Sequence, residues 1–164
     1  ANQTFSRSSS MGKSTRMKTR DVGPTPTSAT RFKKFEIRWA EPLGRPECPF
    51  VIRYVLTLFG YSIRLHYWLG SDDQRFFHDH AWDFISILLR GSYLEITPNR
   101  SYLRKSGSIR LYRAQHKHKV LVVTKPCWTL VLSKPHQRNF GYWVNNHLMR
   151  PLRYFSRYGI HPCE

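Results

Sequence analysis

No long stretch of this chain repeats its apolar residues at helical spacing. Instead, short runs rich in Val, Ile, Leu, Thr, Tyr and Trp follow one another between turn residues, which is the pattern of strands. The runs are FEIRW, FVIRYVLTLF, SIRLHYWL, FISILLRGSYLEI, SIRLYRA, KVLVVT, WTLVLS and FGYWV. Several alternate, as in Ser62-Ile63-Arg64-Leu65-His66-Tyr67. Gly60, Gly70-Ser71-Asp72-Asp73, Pro98-Asn99, Ser106-Gly107-Ser108, Lys125-Pro126 and Lys134-Pro135 mark the turns between them. Some eight short strands in 164 residues fit one domain with one core, and predict an all-β sandwich or barrel. From Asn145 the chain is basic and reads as irregular.

Residues 1–34 differ in kind. They are rich in Ser, Thr, Lys and Arg with few large apolar groups, so alone they cannot bury enough surface to offset their ordering entropy. The expected organisation is a basic arm, 1–34, ahead of a β-barrel domain, 35–164. The arm carries Arg7, Lys13, Arg16, Lys18, Arg20, Arg31, Lys33 and Lys34 against the single acid Asp21. The chain's net charge is +17, and between Glu95 and Glu164 there is no acid at all. Such a field attracts polyanions, so nucleic acid or neighbours in an assembly are expected partners of the arm.

No apolar run approaches the ~20 residues of a membrane span, so no membrane partner is expected. The polar, basic start shows no secretory signal, which suggests a cytoplasmic or virion location. Cys48, Cys127 and Cys163 form no CxxC pair and read as reduced thiols.

The chemistry concentrates in FFHDHAWDF, Phe76 to Phe84. On a strand, residues i and i+2 share a face, so His78 and His80 present two imidazoles to one point, which suits a divalent ion. A second HxH, His116 and His118, leads into the run from Val120. Asp79 and Asp83 lie beside the first pair, Asp79 in the slot that faces away from both histidines. His66, on an alternating run, is a further ligand candidate or a core histidine. Trp68, Trp82, Phe84 and Tyr93 supply an aromatic pocket wall. Nitrogen and oxygen donors of this kind accept Fe, Mn, Ni or Zn; with no ion, the histidines would hydrogen-bond one another. Neither a Ser/His/Asp signature nor a phosphate-cradling glycine loop is present, and no catalytic residue is assigned.

The run GSDDQRFFHDHAWDFISILLRG resembles the first motif of the cupin superfamily: Gly70 leads, His78 and His80 form the HxH, and Gly91 closes. GSIRLYRAQHKHKV resembles the second motif, with His118 as its histidine and His116 as the alternative. KPCWTLVLSKPHQRNFGYWV is similar to the tail of small cupin-like proteins of phages and bacteria. The resemblance implies a double-stranded β-helix with a divalent metal on His78, His80 and His118. It also departs from the family: the family's glutamate position holds Phe84, and Asp83 next to it points to the other face of a regular strand unless a bulge intervenes. The resulting expectation is a metal-binding protein for a small polar ligand. The alternative is a structural component, for instance of a virion, whose barrel is a scaffold and whose arm docks on nucleic acid or neighbouring subunits; a homo-oligomer fits either.

Overall fold

The computed structural model describes residues 35–160; the basic arm and its eight cationic side chains lie outside them. The described chain is all-β apart from one short helix. Its strands are β1 (Phe35–Arg45), β2 (Cys48–Leu58), β3 (Tyr61–Trp68), β4 (Phe77–His78), β5 (Phe84–Ile96), β6 (Ser101–Lys105), β7 (Ile109–Tyr112), β8 (Lys119–Ser133), β9 (Tyr142–Val144) and β10 (His147–Met149), followed by helix α1 (Pro151–Tyr158). All paired strands are antiparallel. One sheet runs β1-β2-β3-β8-β5-β6, with β7 also on β5, and a smaller sheet runs β10-β9-β4. The two meet where His78 and His118 exchange backbone hydrogen bonds, 3.0 Å each way.

Along β3 the inward set is Ser62, Arg64, His66 and Trp68, an unusually polar stripe for a barrel interior. Across from it Leu88, Tyr93, Val120 and Cys127 make one apolar cluster, and Phe84, Tyr112 and Val131 a second. Between these walls lies a cavity of about 240 Å³.

The sequence reading breaks β8 at Lys125-Pro126, but KVLVVT and WTLVLS form one strand. Opposite Pro126, β5 bends at Gly91, whose φ is +85°; register shifts on both sides absorb the bend. A Cβ at Gly91 would lie 2.6 Å from the Pro126 carbonyl oxygen and 2.8 Å from Cys127 Cα. The two irregularities therefore fit against each other, and a proline that looks like a turn is a bend in a long strand.

The end of the chain is also more ordered than its composition suggests. Residues 147–149 pair with β9, and α1 starts at Pro151, where a missing N–H costs nothing. The helix is anchored by Tyr154, which is fully buried, stacks on Tyr142 at 3.8 Å and donates to Asp73 at 2.8 Å. Arg75, also on Asp73, donates to the carbonyls of Tyr158 and Gly159 and so satisfies the helix C-terminus. Among the described residues no helix is long and apolar enough to cross a membrane. Cys48 is disulfide-bonded while Cys127 is a free, buried thiol. The expectation of a reduced thiol is therefore corrected at Cys48, while Cys163 lies outside the described residues: spacing along the chain says nothing about which sulfurs meet in space.

The outward face of the large sheet is apolar. Cross-strand partners Ile37, Leu56, Ile63, Leu132, Ile85 and Leu111 form one continuous row over six strands.

Candidate metal centre

His78 ends β4, His80 follows two residues on, and His118 immediately precedes β8. The loop between the first two is fixed by Asp79. Its carboxylate is fully buried and accepts from Arg138 (2.6 Å), the Gly141 N–H (2.9 Å) and Trp143 Nε1 (3.1 Å). Asp79 thus holds the HDH turn against residues 138–143 and does not join the histidines. The His80 N–H donates to the Ala114 carbonyl, 2.9 Å away, which seats the second imidazole.

The three imidazoles converge. His80 Nε2 and His118 Nε2 are 2.9 Å apart, and one donor atom from each of the three histidines falls within 4.8 Å of the others. The 2.9 Å separation is shorter than twice a metal–nitrogen bond of about 2.1 Å, so a single ion can reach both. Desolvation pushes the His78 and His80 pKa values well below the ordinary imidazole value, and the neighbouring His118 adds to the effect. Desolvation also lowers that of His118, against the opposing pull of Glu95. All three rings are therefore neutral near pH 7, the state in which a ring nitrogen offers a lone pair.

Which nitrogen offers it is set by the groups behind the rings. His118 Nδ1 lies 3.3 Å from Glu95 Oε1, and a buried carboxylate can only accept, so the proton sits on Nδ1 and Nε2 is left free. His78 Nδ1 is 3.5 Å from Asp72 Oδ2, beyond hydrogen-bond contact. Asp72 is buried and accepts from the Val120 N–H at 3.0 Å; burial nevertheless raises its pKa well above the ordinary carboxyl value.

Glu95 is the hub of the arrangement and was not legible as such in the sequence. It is fully buried near the end of β5 and accepts from His116 (2.9 Å), Arg104 (2.8 and 2.6 Å) and Tyr112 (3.1 Å) besides His118. Desolvation alone would raise its pKa, but hydrogen bonds from His116, His118 and Arg104 outweigh it and hold the carboxyl well below the usual range. Glu95, His116 and His118 also lie close enough to share an ion. With Arg104 and Tyr112 on its other oxygen, Glu95 is better suited to orient His118 than to bind metal itself. The one available signal was its place two residues after Tyr93, on the inward face of an alternating strand.

The remaining candidates stand apart. Asp83 accepts from the Ala114 N–H (2.9 Å) and Arg113 (3.2 Å), and no bulge turns it toward the histidines. Phe84 fills the glutamate position of the motif, its ring 4.6 Å from that of His80 and stacked on Tyr112. His66 lines the same cavity as His78, His80 and His118, but is not in their cluster. Its Nε2 is buried without a partner, and desolvation holds its pKa down at about 3. Trp68, Trp82, Phe84 and Tyr93 all line that cavity.

No family model matches the chain, and no curated protein matches it. Among solved structures it is similar to KdgF from a Halomonas species, with 12% identity, a TM-score of 0.48, and 62% of this chain and 89% of that one covered. It is similar to Fe(II) HppE, with 10% identity and a TM-score of 0.47 over 61% of this chain, spanning 56% of that protein. A cupin-2 domain containing protein from Shewanella frigidimarina shows 15% identity and a TM-score of 0.42, with 60% and 83% covered. All three likenesses are at 10–15% identity, and what the site binds rests on this chain's own residues.

Proposed function

We propose that this is a divalent-metal protein in which His78, His80 and His118 hold one ion of Fe, Mn, Ni or Zn at the wall of the barrel cavity, beside a small polar ligand. The observation that carries the reading is the convergence of three neutral imidazoles, with a buried carboxylate behind His118 fixing its proton on the far nitrogen. The donor set fits: three nitrogens with no carboxylate leave positions open, and the 2.9 Å approach of His80 and His118 suits a shared ion. A bound ion would supply Lewis acidity to an oxygen of the ligand. The chain's own residues orient His118 through Glu95, line the cavity with Phe84, Trp82 and Tyr93, and lock the turn through Asp79.

Calorimetric titration of metal-free protein with Zn(II) tests this. The parent is expected to bind one equivalent, His80→Ala to lose the site, and Glu95→Gln to bind about 10–100-fold more weakly. Equal affinity in the parent and His80→Ala would remove the reading.

The +17 charge supports a second, compatible proposal, that the arm docks on a polyanion such as nucleic acid. Changing Arg7, Lys13, Arg16, Lys18 and Arg20 to Gln in the full chain should weaken salt-dependent RNA or DNA binding several-fold. Unchanged binding would reject it.

A further inference from the structure

The inward stripe of β3 places a charge where a barrel interior rarely keeps one. Arg64 is 6% exposed, and no carboxylate of the described residues lies within ion-pair distance of it. Its side-chain hydrogen-bond partners are two hydroxyls, Ser133 Oγ at 2.5 Å and Ser62 Oγ at 3.3 Å, which solvate a cation without neutralising it. The guanidinium lies over the Trp82 ring, 4.1 Å from its centroid, and Nε has no hydrogen-bond partner. By contrast, the neighbouring Arg53 and Arg38 both bind Glu41. Desolvation, followed by repulsion from Arg53 and Arg38, pulls the Arg64 pKa down to about 10, which still leaves it cationic at neutral pH. Glu41 acts in the opposite sense but is already held by Arg53 and Arg38, and burying a charge without a neutralising partner is costly, so the site favours a counter-ion from outside.

Arg64 lines the same cavity as His78, His80 and His118. Its charge is felt at His80 and at His66, where it lowers the pKa of each. We propose that Arg64, held flat by Trp82 and by the hydroxyls of Ser62 and Ser133, binds the carboxylate of a small monoanionic ligand whose remaining atoms extend toward the histidine cluster. This rests on the metal-site reading above and gives its ligand a chemical class. Three features choose that class. A planar guanidinium matches a carboxylate oxygen pair. In the metal-free protein the one unpaired positive charge of Arg64 balances one negative charge, which suits a carboxylate better than a phosphate dianion. The cavity, at about 240 Å³, sits below the ~300–1,000 Å³ of drug-sized sites and admits a small molecule. Beyond the anionic end the lining is mixed, with Phe50, Val51, Trp68 and Val131 beside Thr129 and the carboxylates of Asp72, Asp73 and Asp79, of which Asp73 is already paired with Arg75 and Asp79 with Arg138.

The test uses the full chain, metal-free and metal-loaded, with lactate, acetate and inorganic phosphate as probes and acetamide as the uncharged control. Binding is read by thermal shift and by fluorescence of Trp82 against a Trp82→Phe background. The parent should bind lactate and acetate saturably even without metal, bind phosphate at least several-fold more weakly, and ignore acetamide. Arg64→Met, close in length and without charge, should lose at least tenfold in carboxylate affinity while keeping the parent's metal content and an equal or higher Tm. Arg64→Lys keeps the charge without the fork, and covers the case in which Arg64→Met does not fold; a loss of several-fold is expected there. Carboxylate affinity unchanged in both variants, or no saturable carboxylate binding by the metal-free parent, would overturn the proposal. Metal analysis of the same samples reports separately on the histidine site, so a protein that binds carboxylate but no metal would sink the metal reading and leave this one standing.

Discussion

At the scale of single residues, the site is a set of buried polar groups whose protonation is decided by burial. His66 shows the consequence most cleanly, since it stands outside the metal cluster. Folding holds it neutral down to about pH 3, whereas in the unfolded chain it takes up a proton below about pH 6.5. Between those values the unfolded state binds the extra proton, so the stability His66 contributes is complete above pH 6.5 and is lost as pH falls toward 3. For metal-free protein, thermal denaturation between pH 7.5 and 4 should show His66→Phe declining less steeply than the parent, by up to about 1.4 kcal/mol per pH unit. Parallel curves would show that His66 titrates normally in the fold. The histidines were legible in the sequence because HxH pairs announce themselves by spacing. Glu95, Asp72 and Arg104 were not, because a buried carboxylate and its partners are distinguished only by what the fold packs around them.

At the scale of elements, the strands that could be read directly were those whose own residues make the case. β2, β3 and β5 are long, β-branched and alternating. β6, with SYLRK, carries too little apolar pattern and is a strand only because β5 offers it an edge. Helix α1 is eight residues long, too short to be stable alone, and owes its place to the docking of Tyr154. The β5–β8 bend is the element most exposed to mutation. Gly91→Ala meets both a left-handed φ and backbone atoms at 2.6–2.8 Å, and should cost at least about 1–3 kcal/mol, a drop of several degrees in Tm. Gly107→Ala is the control: its φ is +88° but nothing lies within 4 Å of the added Cβ. Equal losses at the two positions would mean that the close approach to Pro126 and Cys127 is relieved at no cost.

At the scale of the whole molecule, the large sheet is apolar on its outward face although its interior carries a polar stripe. The row from Ile37 to Leu111 is flanked by a second, Phe35, Leu58 and Tyr61, and a third, Tyr54, Leu65, Leu130, Ile87 and Ile109. Six strands ~4.8 Å apart and three rows ~6.6 Å apart make a face of at most roughly 29 by 20 Å, not filled at every strand of the two flanking rows. A face of that size matches the largest apolar patch of a typical monomer, ~300–600 Å², the class of patch that is often an interaction site. A second copy, pairing the face with itself about a two-fold axis, is the occupant we propose. Sedimentation should show a dimer for the parent and a folded monomer for Ile63→Lys/Leu132→Lys; a monomeric parent at micromolar concentration would dismiss it.

All three scales meet at the histidine cluster, so the most direct measurement is elemental analysis of untagged protein beside His78→Ala/His118→Ala. The account predicts nearly one equivalent of a divalent transition metal in the parent and none in the variant, with the β-fold retained in both. A parent that stays metal-free after exposure to Fe(II), Mn(II), Ni(II) and Zn(II) would contradict it, and the 2.9 Å contact between His80 and His118 would then be a hydrogen bond between two neutral rings and nothing more.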